Sequence, residues 1–439
     1  MAAVALAHVF GLIRRFFQVL RHAGWRAALV QTSGYLNRLS RGLGYTSLRR
    51  SRSGSDFTGR YPLMGIWRLL AQENAFHVLT SPSITNGRRA IALIGDLNLP
   101  QCRKYRVEQL AELWRDQDIA FDYAHFEDVP RAGRILQQAT HVMEYRLQSN
   151  ETTEMLRYEA RRLRLPILYD IDDPLFSISA YETYGNMQAL APALRNRFLA
   201  DAPKYLSMMN GADALCVSTP GLQCHAQLFT NRPVFFRRNF ADAQTLETGR
   251  AAMDAAVEKD DLFRIAFASG SQGHEADLAT ILEPLIHVLQ TCPNTRLLII
   301  GHFNLKHLPG ELYNRIEKYA LVDYSRYLHV LARADCVVMP LSDDLFNACK
   351  SGVRALDAAA VGVPAVVAAV GDLPNVVAHG QTGFVAEKPQ DWFAFLEQLV
   401  RDPAHSQRLG QAARLALERR WRGTTQPHIA SPELLAWVA

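Results

Sequence analysis

The chain has 439 residues, 49% hydrophobic and 21% charged, which is enough for two domains of ordinary size with packed cores. Its net charge of +5 is unevenly distributed, because the first 60 residues hold ten arginines, no lysine and one acid, while the remainder is mildly acidic. This distribution argues against a nucleic-acid-binding body and for a basic N-terminal arm with an anionic partner.

The N-terminal arm has the pattern of an amphipathic helix. Between Val9 and His22, apolar residues cluster on one half of a helical wheel and arginines on the other. Such a helix can lie in a membrane interface or dock on the protein's own body, and both alternatives stay open. Residues 31–60 are rich in Ser, Gly and Arg and are predicted to form a linker. We expect neither a membrane-spanning helix nor a secretory signal, with a mitochondrial transit peptide as a further alternative.

The six cysteines show no CxxC pair and no metal-ligand spacing. We therefore expect free thiols in a reducing compartment. Cys349 as a nucleophile is an alternative for which no paired base is evident.

From residue 86 onward, short apolar segments alternate with helical ones, which predicts a parallel sheet covered by helices on both faces. The predicted strands are Ala90–Ile94, Ala120–Ala124, His141–Tyr145, Pro166–Tyr169, Ala214–Ser218 and Val234–Phe236. The main predicted helices are Tyr105–Trp114, Glu151–Leu163 and Leu194–Asn210.

Two loops of this first domain carry charged motifs at predicted strand ends, the edge at which parallel sheets bind ligands. Lys104 and Arg106, in the string KYR, suit a phosphate group or are surface cations at a helix start. Asp170, Asp172 and Asp173, in YDIDDP, suit hydroxyl groups of a substrate or cap the chain before a proline, with a metal site as an alternative.

A second domain begins after a polar, Ala- and Glu-rich linker that spans residues 239–261 and contains a short predicted helix. Strand Arg264–Ala268 runs into the string SGSQGH, and a helix follows. Glycines let the backbone approach a diphosphate, which makes Gly270 and Ser271 candidate ligands of such a group. His274 is predicted to contact a substrate or to cap the helix.

The most informative segment lies between two predicted buried strands, Asp335–Met339 and Pro364–Ala368. Its loop carries Asn347, Lys350 and Ser351 and leads into a helix expected to open near Lys350, with Asp357 further along. A loop of this kind binds anionic ligands in α/β proteins, and the carboxylate suits a ribose; a solvated loop in an ordinary βαβ unit is the alternative. The other predicted elements are strand Arg296–Ile300, helices Glu311–Tyr319 and Tyr324–Ala334, a turn and strand over Gly380–Val385, and helices Gln390–Val400 and Ala404–Trp421.

An ordered series of motifs resembles the donor-binding half of GT-B glycosyltransferases, and more narrowly the retaining "glycosyl transferases group 1" that build bacterial surface polysaccharides. The series is Pro340-Leu341, Phe346-Asn347, Lys350-Ser351, Arg354, Leu356-Asp357, Gly362-Val363-Pro364 and Gly380-Gln381-Thr382-Gly383. The strings KYR, YDIDD and STP are also similar to that group, so the resemblance covers roughly residues 90–415.

The resemblance implies an α/β GT-B fold, with two Rossmann-like domains whose parallel sheets face a central cleft, plus the basic helical extension. In this fold the terminal helix crosses back onto the first domain. The expected organisation is an extension over 1–85, an acceptor domain over 86–240, a linker over 241–261, a donor domain over 262–403, and a C-terminal helix and tail over 404–439.

The resemblance also implies transfer of a sugar, with retention, from a nucleoside diphosphate donor of the UDP or GDP type to a glycan or lipid-linked acceptor. It implies neither metal nor cofactor, and places the enzyme in bacterial polysaccharide, lipopolysaccharide or glycoconjugate synthesis. We expect a cytoplasmic protein, or one held on the inner membrane through residues 1–30, with no nucleic-acid partner. The roles it implies are catalytic for His274, Lys350 and Asp172, donor-binding for Gly270, Ser271, Asn347, Lys350, Ser351 and Asp357, and acceptor- or phosphate-binding for Lys104, Arg106, Asp170 and Asp173.

The sequence departs from the family pattern in two places. Many relatives carry Glu, seven residues and Glu where this chain has Cys349 and Asp357, and the Arg and Lys pair that grips the diphosphate is missing after Gly270. A catalytically degenerate GT-B scaffold protein and a sugar-nucleotide epimerase of the same fold are therefore the alternative functions.

Overall fold

The computed structural model describes residues 87–255, 260–270 and 274–439, together with ten helical positions between Ile13 and Ser33. Apart from those ten positions, the sequence predictions for residues 1–85 lie outside the described residues. So does Ser271, which was predicted to bind the ligand.

The first domain is built on a sheet of six parallel strands, in the order β2-β1-β3-β4-β5-β6. Near-continuous apolar runs such as AIALI form strands that are buried on both faces, as a helix-covered parallel sheet requires. The strands are β1 (Ala90–Gly95), β2 (Ala120–His125), β3 (His141–Tyr145), β4 (Ile167–Ile171), β5 (Ala214–Val217) and β6 (Val234–Phe236). The helices are α1 (Pro100–Arg103), a π-helical turn (Lys104–Glu108), α2 (Gln109–Arg115), α3 (Val129–Gln138), α4 (Glu151–Arg162), α5 (Ile178–Thr183), a 3₁₀ turn (Gly185–Ala189), α6 (Pro192–Gly211) and α7 (Pro220–Ala226).

The second domain repeats this architecture, with six parallel strands in the order β12-β11-β10-β7-β8-β9. The strands are β7 (Phe263–Ser269), β8 (Thr295–Gly301), β9 (Ile316–Tyr319), β10 (Cys336–Met339), β11 (Ala365–Ala368) and β12 (Gly383–Ala386). Helix α8 (Ala243–Ala255) connects the domains, and α9 (Glu275–Ala279), α10 (Leu282–Thr291), 3₁₀ turns (Leu305–His307 and Gly310–Arg315), α11 (Tyr324–Leu331), α12 (Leu345–Ala348), α13 (Val353–Ala360), α14 (Leu373–Val376), α15 (Pro389–Arg401), α16 (Pro403–Arg420) and α17 (Pro432–Val438) complete the chain.

Two sequence predictions in the second domain are corrected. The helix predicted over Glu311–Tyr319 is instead a 3₁₀ turn followed by edge strand β9, because pairing with β8 prevails over the helix propensity of Glu317 and Lys318. The helix expected to open near Lys350 begins at Val353, so Lys350 and Ser351 lie in the preceding loop.

The C-terminal helices return to the first domain. Leu417 of α16 and Leu434 of α17 are buried in one apolar cluster with Leu110 and Trp114 of α2. Leu356 of α13 belongs to the same cluster, so a single core joins both domains. The predicted crossing back is therefore present in the structure.

Candidate functional site

The carboxyl ends of the two sheets face each other across the domain boundary. Thr219, at the end of β5, donates a hydrogen bond to the Cys349 carbonyl at 2.8 Å, and Asn239 donates to the Ser351 hydroxyl at 3.0 Å. Gln101, after β1, donates to the carbonyl of Gly270 at 3.4 Å. The loops predicted to bind ligand in each domain therefore lie on opposite walls of one cleft.

The loop from α12 to α13, which we call the donor loop (residues 345–352), is fixed from three sides. Asp344 caps α12 by accepting the backbone N–H of Asn347 at 2.8 Å, and Gly352 is the N-cap of α13. Gly371 adopts a φ of +62° and lies so close that a β-carbon there would sit 2.7 Å from the carbonyl oxygens of Asn347 and Lys350. These contacts give the loop a defined conformation.

Lys350 projects from the donor loop towards the first domain. Its ammonium donates to the Tyr184 hydroxyl at 3.0 Å and lies 5.0 Å from the centre of the Tyr184 ring and 5.6 Å from that of Phe346. Burial by itself would lower the pKa of Lys350, but Tyr184, Asp277 and Asp173 raise it above its usual value. The ammonium therefore stays charged at neutral pH and forms a fixed cation in the cleft.

His274 lies close enough to Lys350 to feel its charge. Its Nδ1 is 2.9 Å from Asp277, whose carboxylate also accepts from the Asn186 side chain of the first domain at 2.7 Å. Burial and the Lys350 ammonium lower the pKa of His274 to about 4, so the imidazole is neutral at pH 7. Burial opposes ionisation of Asp277, but the His274 hydrogen bond and Lys350 hold its pKa below the usual range. A neutral imidazole beside an ionised carboxylate donates from Nδ1, which fixes its tautomer.

The aspartates that follow β4 differ from one another in environment. Asp172 accepts a hydrogen bond from the Tyr145 hydroxyl at 3.0 Å and lies 3.4 Å from Arg146. Burial and the neighbouring Asp172 raise the pKa of Asp173, whereas Lys350 lowers it. Asp173 therefore belongs to the electrostatic surroundings of Lys350, on the opposite wall of the cleft.

The KYR string does not present free cations to the cleft. Arg106 is fully buried and forms a two-pronged ion pair with Asp170, at 2.6 and 3.0 Å. Lys104 pairs with Asp242 at 2.6 Å, at the start of the segment that connects the domains. Because these side chains are buried and paired, the geometry does not support direct binding of a phosphate or acceptor by Lys104, Arg106 or Asp170 in this conformation.

Asp357 is buried on α13 and is surrounded by tyrosines. The Tyr105 hydroxyl of the first domain donates to one of its oxygens at 2.6 Å and the Tyr324 hydroxyl of α11 to the other at 2.9 Å. Tyr327 lies beside Tyr324, with ring centres 6.3 Å apart. Burial raises the pKa of Asp357 to about 6, although the hydrogen bonds from Tyr105 and Tyr324 lower it.

Sequence reasoning missed two first-domain residues that contact the second domain. Tyr184 stacks on Phe346 with ring centres 4.2 Å apart and planes at 13°, and Asn186 bonds to Asp277. Neither belongs to a spacing pattern, since both follow the YDIDD string in an irregular stretch. Tyr105 lies within the KYR string, but the sequence prediction considered only its charged neighbours, Lys104 and Arg106.

Two parallel six-stranded sheets that face one cleft, with terminal helices that return to the first domain, define the GT-B fold, and the predicted fold class is confirmed. The structure is similar to sucrose-phosphate synthase from Thermosynechococcus elongatus, with a TM-score of 0.53 over 76% of this chain and 95% of that one. At 16% sequence identity, this likeness shows the fold alone.

Within this fold, residues 264–402 match the family model of "Glycosyl transferases group 1". Short stretches are 42% identical over 82 residues to D-inositol 3-phosphate glycosyltransferase of Corynebacterium aurimucosum, which is 18% of each chain, and 38% identical over 99 residues to glycogen synthase of Mycobacterium tuberculosis, 22% of each. The chain thus matches only about a fifth of the length of these curated relatives. The matched family region contains all of β7 except its first residue, together with His274 and the whole donor loop.

Among the residues that the structure describes, no helix combines the length and the apolar composition needed to cross a membrane.

Proposed function

We propose that this protein is a GT-B glycosyltransferase that moves a sugar from a nucleoside diphosphate donor of the UDP or GDP type to a glycan or lipid-linked acceptor. The observation that carries the proposal is Lys350, a half-buried cation held in a defined loop at the carboxyl edge of the family-matched domain. A cation at this position suits a diphosphate, since hydrogen bonds between charged groups are about twice as strong as neutral ones.

The proposed reaction breaks the bond between the sugar's anomeric carbon and the diphosphate, and forms a bond from that carbon to an acceptor oxygen. Negative charge develops on the departing diphosphate, and donors already in position lower the barrier to its departure. We assign that role to the Lys350 ammonium and the backbone around Ser351 and Gly270. The closed cleft would exclude water and limit hydrolysis of the donor.

Five further residues have roles in the proposal. His274 is neutral and oriented by Asp277, so it can hydrogen-bond to sugar hydroxyls at pH 7. Asn347 lies buried in the donor loop and would contact the sugar or phosphate. Asp357 would bind the ribose hydroxyls. Asp172 and Asp173, on the facing wall, would contact the acceptor. The acceptor hydroxyl loses its proton as the new bond forms, and the departing diphosphate oxygen takes that proton up.

Retention of configuration and a role in bacterial polysaccharide, lipopolysaccharide or glycoconjugate synthesis are finer parts of the proposal, supported by the motif resemblance. Independence from a metal ion is also part of the proposal, because the Lys350 ammonium supplies a positive charge at the site.

The test of donor binding is a thermal-shift screen with UDP, GDP, ADP and dTDP and their sugars. A ligand at 100 times its dissociation constant stabilises the folded state by about 2.7 kcal/mol, which gives a measurable shift. We expect a selective shift that Lys350→Ala abolishes. Lys388→Ala, which removes an exposed lysine after edge strand β12, is the matched control and should keep it.

Donor turnover separates the enzyme from the scaffold alternative. Lys350 and Asp357 already have protein partners in this conformation, which is what a degenerate site would also show. A shift with none of the nucleotides would favour the scaffold, and a shift without release of nucleoside diphosphate on adding acceptors would argue against transfer. Interconversion of sugar epimers would favour the epimerase.

We also propose that residues 1–30 hold the protein on an anionic membrane surface. Described positions in this segment are helical, and Ile13, Phe17, Trp25 and Leu29 are each about half exposed or more. We expect the full chain to sediment with phosphatidylglycerol-containing vesicles but not with pure phosphatidylcholine vesicles. Deletion of residues 1–30 should abolish sedimentation, and unchanged binding after the deletion would overturn the assignment.

A further inference from the structure

The Asp357 carboxylate is closed off from ligands by two tyrosines. Its two oxygens accept hydrogen bonds from the hydroxyls of Tyr105 and Tyr324, one oxygen each, and the residue is only 2% exposed. A ribose hydroxyl has to come within hydrogen-bond distance of one of these oxygens. It therefore cannot reach the carboxylate until at least one of the two tyrosines has left.

Tyr105 is the tyrosine that belongs to the other domain. Tyr324 and Tyr327 lie on α11, in the same domain as Asp357, and would move with it when the cleft opens. Tyr105 lies on the π-helical turn of the first domain, 252 residues away in sequence, so its hydrogen bond breaks when the domains separate. Its ring also packs edge-on against Tyr324, with centres 5.9 Å apart.

The π-helical turn anchors Tyr105 on both sides. Arg106 is paired with Asp170 of its own sheet, and Lys104 is paired with Asp242 on the connecting segment. With both neighbours fixed, Tyr105 has little freedom to rotate away while the cleft is closed. Single π-helical turns of this type occur frequently at functional sites.

We propose that Tyr105 is a gate on the donor site: its hydroxyl occupies Asp357 while the two domains are in contact there, and a donor ribose must displace it. This inference rests on the proposed function, in which Asp357 binds the ribose. The gate couples nucleotide entry to opening of the cleft, because the Tyr105–Asp357 hydrogen bond both covers the carboxylate and holds the two domains together. The apparent affinity for nucleotide is then the intrinsic affinity reduced by the fraction of molecules in which Tyr105 has left Asp357.

The first test compares a probe that has a ribose with one that lacks it. Tyr105→Phe removes only the hydroxyl, and a hydrogen bond to a charged group corresponds to about a tenfold change in an equilibrium. We expect the variant to bind UDP about tenfold more tightly than wild type in calorimetric titration, and inorganic pyrophosphate with less than a threefold change. Weaker or unchanged UDP binding would overturn the proposal, since it would mean that Tyr105 helps the ribose or does not meet it.

The second test measures opening without any nucleotide. Cys349 is 2% exposed and packs with side chains of the first domain, so separation of the domains uncovers its thiol. We expect N-ethylmaleimide to label Cys349 severalfold faster in Tyr105→Phe than in wild type, as followed by peptide mass spectrometry. Cys336, buried within strand β10 of the second sheet, reports global unfolding and should label at an unchanged rate.

Tyr324→Phe is the matched control for the labelling experiment. It removes a hydroxyl from the same carboxylate but from within the same domain, so it should leave the Cys349 labelling rate near that of wild type. Equal acceleration by both variants, or by neither, would overturn the gate.

The two tests also separate this inference from the proposed function. If neither wild type nor Tyr105→Phe binds UDP, GDP, ADP or dTDP, the nucleotide-dependent function fails. The labelling comparison still decides whether Tyr105 holds the cleft closed. Faster labelling of Cys349 in Tyr105→Phe, with Cys336 unchanged, supports the gate, and an unchanged Cys349 rate overturns it.

Discussion

The buried carboxylate of Asp357 should make the stability of this protein depend on pH in a defined window. Burial raises its pKa from 3.8 to about 6 in the folded state. Between these values the folded protein binds the proton more readily than the unfolded chain, so stability falls as the pH rises from about 4 to about 6. A difference of roughly two pKa units corresponds to about 3 kcal/mol.

Asp357→Asn removes this titration while it keeps the size of the side chain. Burial raises the pKa values of Tyr105 and Tyr324 well above their usual value, so both hydroxyls stay protonated throughout the window. Lys104 and Asp242 also act on the carboxylate but are unchanged in the variant. We therefore expect the variant to gain stability relative to wild type by up to about 3 kcal/mol between pH 4 and pH 7.

The assay is urea denaturation of both proteins at pH 4, 5, 6 and 7, with the midpoint and slope compared at each pH. Asp343→Asn, at an exposed carboxylate in the loop after β10, is the matched control and should follow wild type. Parallel curves for wild type and Asp357→Asn across the whole window would refute the reasoning, because they would mean that Asp357 titrates alike in the folded and unfolded chains.

Two further substitutions test the supports of the site. Gly371→Ala should lose most nucleotide binding in the thermal-shift screen, because its β-carbon would clash with two carbonyl oxygens of the donor loop. Gly380→Ala is the control: this glycine also has a positive φ, but a β-carbon there would have no atom within 4 Å. We expect this variant to keep nucleotide binding and to show only backbone strain. Arg106→Ala should lower the free energy of unfolding by about 3–5 kcal/mol, because it leaves the Asp170 carboxylate buried and unpaired. Arg131→Ala breaks an exposed pair at the same 2.6 Å and should cost no more than about 1 kcal/mol, and similar losses for the two arginines would contradict the burial argument.

The sheet architecture could be predicted from the sequence because local pattern determines it. Runs such as CVVM and AVVA lie between polar loops, are short and are rich in valine, which favours buried strands over helices. They form β10 and β11 within a residue of the predicted bounds. The exception, β9, is the short edge strand IEKY, whose residues are only half-buried or exposed. Without a buried pattern, its helix-favouring Glu and Lys dominated the prediction.

The candidate site was predicted in part. Residues that belong to a local sequence pattern could be predicted, and residues that depend on contacts between the domains could not. Lys350 and Asn347 were visible because a polar loop between two buried parallel strands must lie at the ligand edge of the sheet. Tyr184 and Asn186 were not predicted, because they reach Phe346 and Asp277 of the second domain from a stretch of the first domain that has no regular sequence pattern. Their contacts depend on how two independently predictable units dock, and no local periodicity encodes that.

The KYR string shows most clearly why residue type alone does not determine where a side chain lies. Two cations in a loop after the first strand suggested phosphate binding, yet each meets a buried carboxylate, and the uncharged residue between them reaches across the cleft. Successive helical residues point about 100° apart, so three consecutive side chains can serve three different elements. Here Arg106 serves the first sheet, Lys104 the connecting segment and Tyr105 the second domain. The π-helical turn thus contacts both domains and the segment that connects them. Through Tyr105 it also contacts Asp357, the carboxylate proposed to bind the ribose, so this contact is placed to respond when a nucleotide binds.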